Sequence, residues 1–195
     1  MSRGFKSLLL FAAFVVLVTA GRHAIHRSSV VTTSSTTTST TSTTSTTSTV
    51  VTPCTGSDFT SVDDGGAGGA GTVYDGVTMT KQTPGSCSVD GYPLLTLQGT
   101  SGSLVASSIV DVSPSAPVFP TASDNNKPHA LTVQSGASIS FRYSYSDVSS
   151  AGACPSIQTI NVQFATGQSA SPVTLKYPAA PCNAGRVVVS AFQAG

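Results

Sequence analysis

Few residues in this chain could carry chemistry. His129 is the one histidine beyond residue 26, so Ser-His-Asp catalysis would have to use it as the base. It follows the turn-rich stretch Asp124-Asn125-Asn126-Lys127-Pro128, with Asp124 the nearest acid in sequence, and no Gly-x-Ser-x-Gly elbow exists to expose a nucleophilic serine. A solvated turn explains this stretch, and a hydrolase using His129 with Ser and Asp brought together by the fold stands as the alternative. Asp63 and Asp64 are adjacent, whereas glycosidase chemistry needs two carboxylates held across a cleft. They could supply a weak Ca²⁺ site, but solvated loop acids are expected. Gly66, Gly68 and Gly71 spell the dinucleotide fingerprint G-x-G-x-x-G. That motif works only between a strand and a helix whose N-terminus meets the pyrophosphate. Here a strand follows instead, so a flexible loop is expected.

The four cysteines, Cys54, Cys87, Cys154 and Cys182, have no C-x-x-C spacing, which argues against zinc. An even count in an oxidising compartment implies two disulfides, and four cysteines allow three connectivities. Sequential pairing, Cys54 with Cys87 and Cys154 with Cys182, is expected because each bridge then ties a terminal or hairpin segment to its neighbour. Such loops contribute roughly 3 to 4 kcal/mol each, a large share of the stability of a domain this size. The cysteines are thereby explained as structural. Catalytic residues, cofactors and metals are not expected.

The elements that would hold these groups are strands. Glu and Trp are absent, charged residues are 9% of the chain, and Gly, Ser and Thr abound, a composition poor in helix formers. Apolar and polar residues alternate over Val73 to Lys81, where Thr83-Pro84-Gly85-Ser86 supplies type II turn chemistry. Leu94 to Gln98 and Ser103 to Val112 are further candidates. From Ser138 to Tyr145, Ile139, Phe141, Tyr143 and Tyr145 alternate with Ser138, Ser140, Arg142 and Ser144. Tyr143 and Tyr145 could face a partner, but this alternation places them in a core. Ile160, Val162 and Phe164 repeat the pattern, then Val173, Leu175 and Tyr177, then Val187, Val189 and Ala191. Seven or eight such strands predict an all-β, antiparallel, immunoglobulin-like sandwich over residues 53–195.

What precedes the sandwich bears on where it works. Arg3 and Lys6 lead into the apolar run Leu8 to Ala20, with Val18-Thr19-Ala20 as a small-residue cleavage site. Residues 1–27 are therefore read as a signal peptide, or as a signal anchor if Arg22, His23, His26 and Arg27 hinder cleavage, with membrane anchoring through residues 8–20. The tract 28–52, almost wholly Ser and Thr, has nothing to bury and is expected to be a disordered stalk. None of Asn125, Asn126, Asn161 and Asn183 has Ser or Thr two places on, so N-glycosylation has no acceptor. Beyond the stalk five Lys and Arg face eight Asp, a formal −3. Scattered cations on a mildly acidic domain cannot displace the counterions of nucleic acid.

The landmarks Cys54, Gly69-Ala70-Gly71, Cys87-Ser88-Val89-Asp90-Gly91-Tyr92-Pro93, Gly136 before the Phe141 strand, Cys154-Pro155 and Cys182 together resemble the actinobacterial family called domain of unknown function 4232. The match runs from Cys54 to Phe192, and the Cys-to-Gly-Tyr-Pro motif is its most specific part. Lys81-Gln82-Thr83 departs from the family's Asn-led turn. The resemblance implies a β-sandwich outside the cytoplasm in secreted or membrane-anchored envelope proteins, and it brings no catalytic residues. The functional expectation is a noncatalytic envelope module that binds a protein or glycan partner through loops.

Overall fold

The structure, a computed structural model, describes residues 51–195 except Ala151. The targeting segment and the Ser/Thr tract up to residue 50 lie outside the described residues. Among those described, no helix is long and apolar enough to cross a membrane.

Among the described residues, thirteen short strands, numbered in chain order, form three sheets. The largest orders β2 (Phe59–Asp63), β4 (Thr72–Lys81), β9 (Ser138–Ser146), β12 (Arg186–Val189) and β7 (Ser108–Asp111). Beside β4 lies β3 (Ala67–Gly69), and beside β9 lies β13 (Gln193–Ala194). A second sheet orders β11 (Ser171–Ala179), β10 (Ile157–Gln163) and β6 (Leu94–Gln98). A third joins β1 (Thr52–Pro53), β5 (Cys87–Val89) and β8 (Leu131–Val133). Pairing is antiparallel except between β1 and β5 and between β12 and β7. The expected all-β sandwich is therefore the architecture, with more and shorter strands than the alternation alone discloses.

The two smaller sheets share one core with the inner face of the large sheet. Val77 and Met79 of β4, Ile139, Phe141 and Tyr143 of β9, and Val187 and Val189 of β12 pack with Leu95, Leu97, Ile160, Val162, Val173 and Leu175. Cys54, Cys87, Val89 and Val133 continue the same core beneath the third sheet. Every second residue faces inward because the strand period is two. One end is filled by a run of aromatic contacts from Phe59 to Phe164 to Phe192 to Phe141, with ring centroids 5.1, 5.0 and 5.8 Å apart.

The strands differ from the sequence reading in three places. Ser103 to Val112 narrows to Ser108–Asp111, because Leu104 bridges back to Gln98 around Gly102, whose φ of 74° turns the chain. The stretch before the glycines contains β2, which was not expected. Tyr177 does not join Val173 and Leu175 inside but is 78% exposed. The cause is a register shift: Thr159 faces Thr174, yet Ile157 faces Ala179, so β11 bulges outward and carries Tyr177 with it. The bulge frees backbone groups from the ladder, and side chains satisfy them. The Asp63 carboxylate accepts the Lys176 N–H at 2.7 Å, and the Gln158 amide donates to the Leu175 carbonyl at 3.0 Å.

Candidate functional site

Both expected disulfides are formed, Cys54–Cys87 and Cys154–Cys182, closing sequence separations of 33 and 28 residues. Bridges of this kind belong to an oxidising compartment. His129 is exposed on the loop before β8, beside Ser123, Lys127 and Phe192 in a small hollow, and it forms no hydrogen bond among the described residues. Among the described residues His129 is not joined to a Ser and an Asp, so the alternative reading gains no support. Tyr143 is buried and Tyr145 packs against the core, their rings stacked at 6.4 Å, as the alternation predicts.

Two expectations are corrected. The glycine run is not a flexible loop: Gly68 pairs with Val73 and Gly69 with Thr72, and Ala70 and Gly71, with φ of 52° and 82°, form a tight hairpin turn between β3 and β4. Asp63 and Asp64 are not a pair of solvated loop acids. Strand alternation points them apart, leaving Asp63 3% exposed inside the sandwich and Asp64 on its outer surface.

The outer face of the large sheet carries the site with most chemistry. Gly76 of β4 lies across from Arg142 of β9, and a Cβ at Gly76 would stand 2.1 Å from Arg142 Nη1. A glycine inside a strand costs stability but lets another group approach the backbone closely. Here that group is the Arg142 guanidinium, which lies over Gly76 and reaches Asp64 at 3.4 Å with a single contact. The Arg142 backbone is fixed by Ser190: its N–H donates to the Ser190 hydroxyl, and its carbonyl accepts the Ser190 N–H, both at 2.8 Å. Among the described residues, most guanidinium donors therefore stay free on a fixed base.

Opposite Arg142 stands the segment 118–125, which crosses the same face. Phe119 packs with Val112 and Val188 and meets the Tyr74 ring edge-on at 6.5 Å. Its shape is set by Asn125, a buried amide that accepts the Val118 and Phe119 N–H groups and donates to the Phe119 and Thr121 carbonyls, all within 2.9 Å. Gln193 of β13 ties the segment down through Asp124 Oδ1 at 3.0 Å. Between strap and sheet opens a cleft of about 380 Å³ walled by Arg142, Tyr74, Phe119, Asp124 and Gln193. Beyond Tyr74 a second hollow of about 220 Å³ holds Arg186 and Asn183. A hollow of about 440 Å³ beside Cys182 is lined by small and apolar residues, Ser149 and Asn183 apart. It offers little to a polar ligand.

Beneath the cleft rim lies a second polar group. Asp63 stands opposite Val77, and Asp75, two residues earlier on the same face of β4, stands opposite Tyr143. The two carboxylates are diagonal cross-strand neighbours. Burial raises the Asp75 ionisation above the usual carboxylate range and the charge of Asp63 adds to this, while the Gly76 N–H donated to Asp75 Oδ1 at 2.7 Å opposes it. The Tyr143 hydroxyl is buried beside Asp75, and burial, then both carboxylates, drive its ionisation far upward. It is a neutral phenol at any physiological pH.

Sequence reasoning missed Arg142, Gly76, Asn125 and Asp75 as members of sites. The available signal was Gly76, an unexplained glycine within an alternating strand. In a comparison with known proteins, a family model described as Domain of unknown function (DUF4232) matches residues 54–195. No curated protein and no solved structure matches the chain.

Proposed function

Because the chain belongs to the DUF4232 family over residues 54–195, whose description assigns no activity, its role has to be read from its own residues, and we propose a noncatalytic cell-envelope module that binds a protein or glycan partner in the Arg142 cleft. The observation that carries this is the Gly76–Arg142 arrangement: a strand gives up a side chain so that a guanidinium with free donors can line a concave face. Around it the cleft mixes the Asp124 carboxylate, the Gln193 amide oxygen, whose NH2 is held by Ser123 and Asp124, and the Tyr74 and Phe119 rings, which suits a ligand of mixed polarity. Export is supported by the disulfides together with the basic and apolar N-terminal pattern and the Ser/Thr tract.

The test is retention of the oxidised full chain on isolated cell envelopes. Arg142→Ala is expected to lower retention about tenfold or more, in line with losing a hydrogen-bonded charged contact. Protease or glycan-cleaving pretreatment of the envelopes then tells a protein partner from a glycan. Undiminished retention of the variant would remove the cleft from the proposal.

A further inference from the structure

The hollow of about 220 Å³ beyond Tyr74 differs from the Arg142 cleft in its charge. The cleft sets Asp124 across from its guanidinium and Asp64 against it, whereas no carboxylate lines the hollow. Arg186 is the one charged residue of its wall, exposed at the first position of β12. Its guanidinium has no hydrogen bond or ion pair among the described residues. Asp147 follows Ser146 but stays outside the wall, its N–H turned back to the Gly71 carbonyl.

Strand register sets the floor. Ser144 of β9 lies between its cross-strand neighbours Tyr74 of β4 and Val188 of β12, and Thr72 stands opposite Ser146 two residues on, on the same face. With Val118 of the strap at the side, Ser144 is only 3% exposed, yet its hydroxyl has no partner among the described residues. A buried hydroxyl left unpaired costs free energy, so the floor calls for a hydrogen-bonding group from outside the protein. The Ser146 hydroxyl is already engaged with the Val148 backbone. Asn183 and Arg186 reach the hollow from one fixed turn, in which Asn183 has a left-handed φ of 54° that Asn tolerates and Gly185 abuts the Ala106 carbonyl.

These groups define a ligand. A guanidinium fits a carboxylate through two parallel hydrogen bonds. One cation without a second matches a single negative charge, which favours a carboxylate over a doubly charged phosphate. The Thr72 and Ser144 hydroxyls and the Asn183 amide both donate and accept, as sugar hydroxyls do, whereas a peptide carboxylate would leave them unmatched. Tyr74 and Val188 give apolar surface to the C–H face of a ring. Drug-sized ligands occupy pockets of roughly 300 to 1,000 Å³, so this smaller hollow takes one ring and not a chain.

We propose that the hollow binds one carboxylate-bearing sugar unit, with Arg186 on the carboxylate and Thr72, Ser144 and Asn183 on the hydroxyls. It shares only Tyr74 with the Arg142 cleft, and its test needs no envelope and no partner.

The experiment is an NMR titration of the full, oxidised chain with D-glucuronate, D-glucose and a blocked glutamate, each to about 10 mM, tenfold above a millimolar Kd. Glucuronate is expected to give saturable shifts at the Arg186 Nε–H and at the Thr72, Ser144 and Asn183 amides. Glucose, which lacks the charge, and the blocked glutamate, which lacks the hydroxyls, are expected to bind about tenfold or more weakly. Arg186→Gln, at an exposed position, should weaken glucuronate about tenfold and leave glucose unaffected, and Ser144→Ala should weaken both sugars. Absence of saturable shifts at these residues overturns the proposal, as does glucose or the blocked glutamate binding as well as glucuronate. The wild-type titrations alone decide this if a variant does not fold.

Discussion

Hydrogen bonds dominate at Asp58 and burial dominates at Asp75, so the two acids respond to pH with opposite sign. The Asp58 carboxylate takes the Thr83 hydroxyl at 2.7 Å, the Thr55 N–H at 2.8 Å and the Thr55 hydroxyl at 3.0 Å. The Thr83 contact, then the Thr55 N–H, hold its ionisation below the ordinary range. Thr83 also receives the ammonium of Lys81, which is 2% exposed, so a buried cation is relayed to a carboxylate through one hydroxyl. A lowered folded value means that stability from Asp58 is present above its unfolded value and lost as pH falls through the folded one. Asp58→Asn should accordingly have a lower thermal midpoint than the wild type at pH 7, and the gap should close as both are taken below about pH 3. A gap that persists unchanged in acid would show that packing, not charge, ties Asp58 to Thr55 and Thr83.

At the scale of elements, alternation made β4, β6, β9 and β10 legible, since each buries one face and wets the other. It was silent on β2, whose five residues lie between a turn at Gly56–Asp58 and the glycine run. It misled at Tyr177, because a bulge is a property of the pair of strands and not of either sequence. The disulfides were readable from count and compartment. The cleft was not, because it joins β4 and β9 to a strap held by the Asn125 amide, and amides in turn-rich stretches look alike before folding. Gly76 separates the element's two duties. Its φ is not left-handed, and the atoms that a Cβ would meet belong to the Arg142 and Asp64 side chains and not to backbone. Gly76→Ala should therefore change unfolding free energy by less than about 1 kcal/mol, since Ala is itself the better strand residue. Yet it should displace the guanidinium and reduce envelope retention as far as Arg142→Ala does. Chemical denaturation beside the retention assay checks this, and a variant that unfolds early while still binding would reverse the assignment.

For the whole molecule, the two bridges occupy unequal positions. Cys54 and Cys87 are 0% and 4% exposed inside the main core, where β1 runs parallel to β5. Cys154 is only half-buried and follows the irregular stretch after β9. Its partner Cys182 opens a turn in which Asn183, Ala184 and Gly185 all have left-handed φ, at 54°, 60° and 70°. For Ala184 that conformation costs on the order of 1 kcal/mol or more and persists only while its surroundings impose it. Gly185 has no alternative residue, because a Cβ would stand 2.5 Å from the Ala106 carbonyl. Cys182 is itself 1% exposed, so the outer bridge is reached from the half-buried Cys154 side and is linked to a segment that gains from release, whereas both cysteines of the inner bridge are buried in the main core. Mild reductant followed by alkylation and peptide mapping should label Cys154 and Cys182 first, with the near-ultraviolet tyrosine signal retained. Label at Cys54 and Cys87 should arrive together with loss of that signal. Simultaneous labelling of all four cysteines would mean that the sandwich unfolds as one unit before either bridge is cut, and that the outer turn is no separate weak point.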